Sequence, residues 1–222
     1  MASASYRQAL AVLFAAAMTH IAAGHAFAGL EEVYPKTIAP ECGGIHNVYD
    51  SCRDQFEVLA EAKAEAALTG KSILVVPGND VWMESIVLLA YLTGDHDTSM
   101  GEYSLDGLEA AIAAGRPEEL VKAETLAAYV RENFVLFALT GGEHRRTRWF
   151  ELSRQIGVID EHGSASVIVL KDGVRFARLP WESEMPELYV KQPAPAFRKG
   201  YDRELLLQEL KRLRDAILEA SK

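Results

Sequence analysis

The spacing of apolar and polar positions divides the chain into alternating helical and extended segments. From about Asp54 apolar residues recur at helical spacing, and Gly70 ends this run in the way that glycine closes many helices. The apolar run 72–76 (SILVV) follows and is cut off by Pro77 and Gly78. Its length and its continuous apolar content predict a strand that is buried on both faces.

The same pattern predicts further elements downstream. They are helices at 84–92, 105–114, 117–131 and 145–156, and strands at 134–139, 166–170 and 174–179. A Lys-Asp-Gly turn joins the last two strands into a β-hairpin. We interpret residues 94–131 as an insertion that opens with a loop at 94–104. Residues 180–200 contain four prolines and are interpreted as a long irregular connection.

The C-terminal helix has the clearest pattern of all. Asp202 stands at its N-cap, and the apolar side chains that follow fall on one stripe: Leu206, Leu207, Leu210, Leu213, Ile217 and Leu218. Taken in order, the elements are helix, strand, helix, insertion, strand, helix, β-hairpin and closing helix. This order predicts an α/β domain in which helices cover a mixed sheet.

The N-terminal segment has the features of a signal peptide. Arg7 is the only charged residue among the first 30, and the apolar run 9–18 is too short for a hydrocarbon core about 30 Å thick. Ala26-Phe27-Ala28 then supplies a cleavage pattern of small residues. We therefore expect residues 1–28 to be removed and the protein to be exported to the periplasm or secreted. An uncleaved membrane anchor is the alternative.

Charge and size restrict the classes of partner. The formal net charge is −9, and removal of Arg7 with the leader would make it −10. An acidic chain argues against nucleic acid and against anionic membrane surfaces as partners. The pattern contains no second stretch long enough to span a membrane, and no motif that requires a cofactor. About 194 residues (222 minus 28) would remain, which is enough for one domain.

Two cysteines, Cys42 and Cys52, lie ten positions apart in the mature part. In an oxidising compartment such a pair predicts a structural disulfide, worth about 3 kcal/mol by loop-closure entropy. Two alternatives remain open at this point. The cysteines could form a catalytic or switching pair, or they could join His46 in a site for a soft metal such as Cu(I) or Zn(II). The main prediction includes no metal.

Three segments carry a resemblance to the thioredoxin-like superfamily. They are 64–80 (AEAALTGKSILVVPGND), 133–136 (NFVL) and 166–173 (SVIVLKDG). The first resembles the opening helix and first core strand of the family, the second resembles another core strand, and the third resembles the terminal hairpin. The resemblance implies a three-layer fold with a mixed central sheet. It implies an N-terminal extension at 29–53 and a thioredoxin-like domain at 54–222.

The chain departs from the family where the family has its redox centre. A W-C-x-x-C motif normally follows the first strand, and the two cysteine positions fall here on Trp82 and Ser85. The family's cis-proline position corresponds to about Ser164. Disulfide exchange needs a thiolate, and neither an indole nor a hydroxyl supplies one. The resemblance therefore implies a redox-inactive member.

Because the redox centre is missing, we interpret the chain as a binding protein. We expect a protein-binding or assembly-assisting module whose candidate contact residues lie around the altered motif: Asp80, Trp82, Met83, Ser85 and Ser164. Trp and Met are efficient contact residues. A basic cluster at 144–149 could also dock an acidic partner. The alternatives are a thiol–disulfide oxidoreductase that uses Cys42 and Cys52 as a displaced pair, and a copper or zinc carrier that uses them with His46.

Overall fold

The structure is a computed structural model of the chain. It describes residues 40–43, 49–78, 83–94, 99–100, 103–104, 107–140, 148–158, 168–171, 173–191 and 199–222. All of these fall within one unit, Thr37–Lys222. The predicted signal peptide at 1–28 lies outside the described residues.

The central sheet contains four strands in the order β4-β1-β5-β6. Their bounds are β1 Ser72–Gly78, β4 Phe134–Thr140, β5 Ile168–Lys171 and β6 Val174–Arg178. β1 is parallel to β4, antiparallel β5 lies on its other side, and β6 pairs antiparallel with β5. The sheet is therefore mixed, as predicted. Every residue of β1 is buried, in agreement with its continuous apolar run.

The helices of the described part, in chain order, are α1 Pro40–Gly43, α2 Gln55–Thr69, α3 Met83–Thr93, α4 Leu108–Ala113, α5 Glu118–Asn133, α6 Trp149–Gln155 and α7 Arg203–Glu219. Local sequence explains where α2 begins and ends. The side chain of Asp54 caps its first turn by accepting a hydrogen bond from the N–H of Phe56. Gly70 closes it in the left-handed region, at φ 70°, where an L side chain would be strained.

Helices cover both faces of the sheet. On one face α2 and α6 pack against β1 and β4 in a cluster of buried side chains: Leu59, Ala62, Ile73, Val75, Val135, Phe137, Leu139, Leu152, Ile156, Val158 and Leu170. On the other face lie α3, α5 and α7. Residues 86–92 of α3 are at most 3% exposed, so this stretch of the helix lies in the interior.

The closing helix agrees with its sequence pattern. Asp202 accepts hydrogen bonds from the N–H groups of Glu204 and Leu205. The predicted stripe is buried at Leu206, Leu210, Leu213 and Ile217, whereas Leu218 is 45% exposed. Leu218 lies one position beyond the last buried residue, about 100° around the helix, and so points away from the sheet.

The insertion and the irregular connection contain more structure than the pattern predicted. The insertion includes a pair of two-residue strands, β2 Ser99–Met100 and β3 Tyr103–Ser104, where a loop was expected. The connection includes a 3₁₀ turn at Pro186–Leu188, and β7 Tyr189–Lys191 then pairs with β8 Lys199–Tyr201. Strands of two or three residues are too short to show an alternating pattern. Within the described residues, no helix has the length and the apolar content needed to cross a membrane.

Candidate functional site at the carboxyl edge of the sheet

The carboxyl ends of β1 and β4 lie side by side. The two strands are parallel, and their register places Gly78 opposite Thr140. Helix α3 begins at Met83, five positions after β1 ends. The altered motif begins in this connection, and in α/β proteins the carboxyl edge of a sheet commonly carries the functional site.

A disulfide joins Cys42 and Cys52, and the predicted pairing is thereby confirmed. The Cα atoms are 5.2 Å apart. Ser51 ties the same loop by donating from its backbone N–H (2.9 Å) and its hydroxyl (2.8 Å) to the carbonyl oxygen of Cys42. The N–H of Cys52 donates to the carboxylate of Asp50 at 3.0 Å. Disulfides of this kind are typical of oxidising compartments.

This disulfide loop, residues 42–52, inserts Tyr49 into the carboxyl edge. Tyr49 is 1% exposed, and its hydroxyl lies 3.5 Å from the carbonyl oxygen of Val76, a long hydrogen bond. Burial raises the pKa of Tyr49 well above its usual value, and a hydrogen bond with Ser85 only partly offsets this. The phenol therefore stays protonated at neutral pH.

Ser85 and Gly78 complete the packing around Tyr49. The Ser85 hydroxyl donates to the carbonyl oxygen of Pro77 at 2.9 Å, and the side chain is 0% exposed. A Cβ atom at Gly78 would collide with the Tyr49 hydroxyl and would lie 2.5 Å from Ser85 Oγ. Glycine is required here because the tyrosine approaches the backbone so closely. The Ser85–Pro77 bond joins the two ends of the connection between β1 and α3.

The end of β4 is tied to the disulfide loop by Gln55. Its side-chain oxygen accepts from the N–H of Thr140 at 3.2 Å, and its amide nitrogen donates to the carbonyl oxygens of Arg53 and Asp50. Gln55 is 1% exposed, so these bonds are shielded from water. One side chain therefore fixes the loop to the neighbouring strand of the sheet.

Arg148 lies next to this edge at the start of α6. Its Nε is 2.7 Å from the Asp54 carboxylate, and its guanidinium lies 4.3 Å from the centroid of the Phe56 ring. The hydrogen bond from Arg148 lowers the pKa of Asp54. Arg148 has φ 43°, which is uncommon for a residue other than glycine, asparagine or aspartate. Of the basic cluster predicted at 144–149, the structure describes only Arg148 and Trp149.

Of the five predicted contact residues, the structure describes only Met83 and Ser85. Ser85 is fully buried, and its hydroxyl donates a hydrogen bond to the carbonyl oxygen of Pro77 at the end of β1. Met83 is the first residue of α3. Asp80, Trp82 and Ser164 lie outside the described residues. The structure therefore brings Ser85 together with Tyr49, Gly78 and the disulfide loop.

One group of potential metal ligands occurs in the described part of the chain. One ligand atom each from Cys42, Asp50 and Cys52 lies within 4.8 Å of the others. The two sulfurs are bonded to each other, so neither is a thiolate that could bind a metal. His46, the third ligand of the metal hypothesis, lies outside the described residues.

Sequence reasoning did not identify Tyr49 or Gln55. The weak signals were an aromatic residue inside an eleven-residue disulfide loop, and an amide directly after the N-cap of α2. Both residues act through contacts with positions far along the chain, 27 and 85 residues away. Comparison of the chain with protein-family models, with curated proteins and with solved structures finds no match.

Proposed function

We propose that the chain is a redox-inactive, thioredoxin-like protein of the periplasm or secreted space that binds a protein partner at the carboxyl edge of its sheet. The fold part of the proposal is supported by a mixed sheet with helices on both faces, a terminal β-hairpin and a closing helix. These elements come in the chain order that the resemblance implies. The disulfide and the predicted signal peptide support export.

The observation that carries the proposal is the pairing of Tyr49 with Ser85. By the alignment to the family's motif, Ser85 takes the place of the second redox cysteine. Here it is fully buried against a phenol that stays protonated. Neither group is a nucleophile at neutral pH, and both are buried. An edge built in this way favours binding over thiol chemistry.

The connection between β1 and α3 is the expected contact segment. Its two ends are joined by the Ser85–Pro77 hydrogen bond, and Gly78 is locked against Tyr49. Asp80 and Trp82 belong to this connection, and Met83 follows at the start of α3. Loops that a rigid scaffold positions commonly carry the binding residues of a protein. Trp82 is therefore the expected anchor.

Photo-crosslinking in an exporting host tests the binding function. A photoreactive residue in place of Asp80, two positions from the expected anchor Trp82, should yield a discrete adduct with one protein. The same residue at Leu68, which is 87% exposed on α2, is the matched control and should yield none. Trp82→Ala, added to the protein with the probe at position 80, removes the expected anchor and should abolish the adduct. Equal adducts at positions 80 and 68, none at either position, or an adduct that persists after Trp82→Ala would contradict the proposal.

The oxidoreductase alternative is favoured by one observation, the partial exposure of Cys52. Equilibration in glutathione buffers with trapping of free thiols distinguishes the two functions. We expect the disulfide to stay oxidised to below about −300 mV, as structural disulfides do. A midpoint between about −120 and −270 mV would support the displaced redox pair instead. Retention of copper or zinc by the reduced protein through gel filtration would support the metal carrier.

A further inference from the structure

A small cavity lies outside the carboxyl edge of the sheet, and none of its lining residues belongs to that edge. Its volume is about 150 Å³, and it is bounded by α3, α4, α5, β7, β8 and the first residue of α7. A volume of this size accommodates a benzene-sized molecule in other proteins. The cavity therefore suits a ligand of few non-hydrogen atoms.

Arg203 forms the inner wall of the cavity. Its side chain is only 4% exposed, its Nη1 lies 2.9 Å from the Glu119 carboxylate, and its guanidinium lies 4.6 Å from the centroid of the Tyr91 ring. The ion pair and the ring fix the plane of the guanidinium. A buried arginine held in this way presents a fixed positive charge to the cavity.

The negative charge of Glu119 is already matched by its neighbours. Lys122 lies 2.9 Å from the same carboxylate and 3.4 Å from that of Glu204. Burial would raise the pKa of Glu119, but the hydrogen bonds and charges of Lys122 and Arg203 outweigh burial and lower it. Glu119 is therefore ionised at neutral pH and serves to position two cations.

Two further cations, Arg116 and Lys191, lie on the rim. Both are exposed, and within the described residues neither takes part in a salt bridge. The lining thus contains four cationic side chains and the carboxylates of Glu119 and Asp202, a formal charge of +2. The Asp202 carboxylate is occupied in capping α7. A positive cavity is unusual in a chain whose net charge is −9.

We propose that this cavity binds a small oxyanion, the carboxylate or phosphate group of a compact ligand. Arg116 and Lys191 contact its charged oxygens from the rim, and the buried charge of Arg203 attracts them from the inner wall. The ring of Tyr91 and the side chains of Ala111 and Val190 leave room for a small apolar body. This site does not depend on the protein-binding function proposed above.

Titration of the isotope-labelled protein, followed by NMR at low ionic strength, tests the site. The probes are acetate, benzoate and inorganic phosphate. We expect saturable shifts of amides around residues 116, 191 and 203. Tighter binding of benzoate than of acetate identifies an organic acid, and tighter binding of phosphate identifies free phosphate or a phosphomonoester. No saturable shift with any of the three probes would overturn the proposal.

Variants of the rim give the second readout. Arg116→Gln/Lys191→Gln should weaken binding at least about tenfold, because two charge-assisted contacts are lost. Arg116→Lys/Lys191→Arg keeps both charges and should retain binding. Lys63→Gln/Lys222→Gln removes the same net charge at exposed positions, one on α2 and the other beyond the far end of α7, about 25 Å along that helix. Equal weakening in this control would show nonspecific attraction and overturn the site.

Discussion

The side-chain oxygen of Gln55 accepts a hydrogen bond from the backbone N–H of Thr140 at 3.2 Å, across 85 positions of the chain. The same amide donates to the carbonyl oxygen of Arg53 at 3.1 Å. A single buried side chain thus links the last residue of β4 to the segment that follows the disulfide. This link and the contact of Tyr49 with Val76 both hold the disulfide loop against the sheet.

Replacing Gln55 with alanine should lower the free energy of unfolding by about 2 kcal/mol. The cost arises because a buried hydrogen-bonding side chain is lost and its backbone partners are left to find others. Urea unfolding of the purified protein measures it. Gln155→Ala, at an exposed position near the end of α6, is the matched control and should change stability by less than about 0.5 kcal/mol. Equal effects of the two variants would show that the Gln55 bonds contribute nothing.

Much of the fold follows from sequence patterns that act over a few residues. The buried strand predicted at 72–76, the end of α2 at Gly70 and the stripe of α7 all rest on local chemistry, and the structure contains each of them. The strand runs two residues further than predicted, through Pro77 to Gly78. The pairing of Cys42 with Cys52 was also predictable, because the chain contains only two cysteines.

The candidate site was less predictable for a physical reason. Tyr49 and Gln55 matter through contacts with Val76 and Thr140, and such contacts exist only once the sheet has formed. Ser85 was expected near the contact surface on the basis of its position in a motif. The structure shows that its hydroxyl points inward, because Pro77 offers it a carbonyl oxygen at 2.9 Å. Hydrophobic periodicity predicts which face of a helix is buried, but it does not predict which atom a single side chain will form a hydrogen bond with.

The disulfide and Tyr49 should stabilise the protein as one unit. Replacing both Cys42 and Cys52 with alanine should cost about 3 kcal/mol of unfolding free energy. Tyr49→Ala should cost about 3–5 kcal/mol, as for other large buried side chains. Because the closed loop holds Tyr49 in place, we expect the combined variant to lose less than the sum of the two losses. Strictly additive losses in urea unfolding would show that the loop and the tyrosine act independently.

Glu184 should make stability depend on pH in the acid range. Hydrogen bonds from Arg178 at 2.7 and 2.9 Å, and then one from the N–H of Trp181, lower the pKa of Glu184 from its usual 4.5 to about 2. The folded pKa lies below the unfolded one, so this stabilisation is present above about pH 4.5 and is lost as the pH falls towards 2.

Urea unfolding from pH 2 to pH 7 checks this expectation. The unfolding midpoints of wild type and Glu184→Gln should differ most above pH 4.5 and converge near pH 2. Added salt should reduce the difference, because the pair is exposed to solvent. A difference that stays constant over the whole range would mean that ionisation of Glu184 does not contribute to folding.

Ser85→Cys tests directly whether the carboxyl edge is closed to thiol chemistry. Ser85 is 0% exposed, so a thiol in its place should react with a thiol-specific reagent only as fast as the protein opens. Ser183→Cys, at an exposed position in the turn after Trp181, is the matched control and should react at once. After denaturation each variant should show one free thiol per molecule, which verifies that the Cys42–Cys52 disulfide is intact.

If Cys at position 85 reacted as fast as Cys at position 183, the edge would open in the native state and would not be closed to redox chemistry. Protection of position 85 down to the unfolding rate would instead support a site that binds through its surface and excludes reagents from its interior.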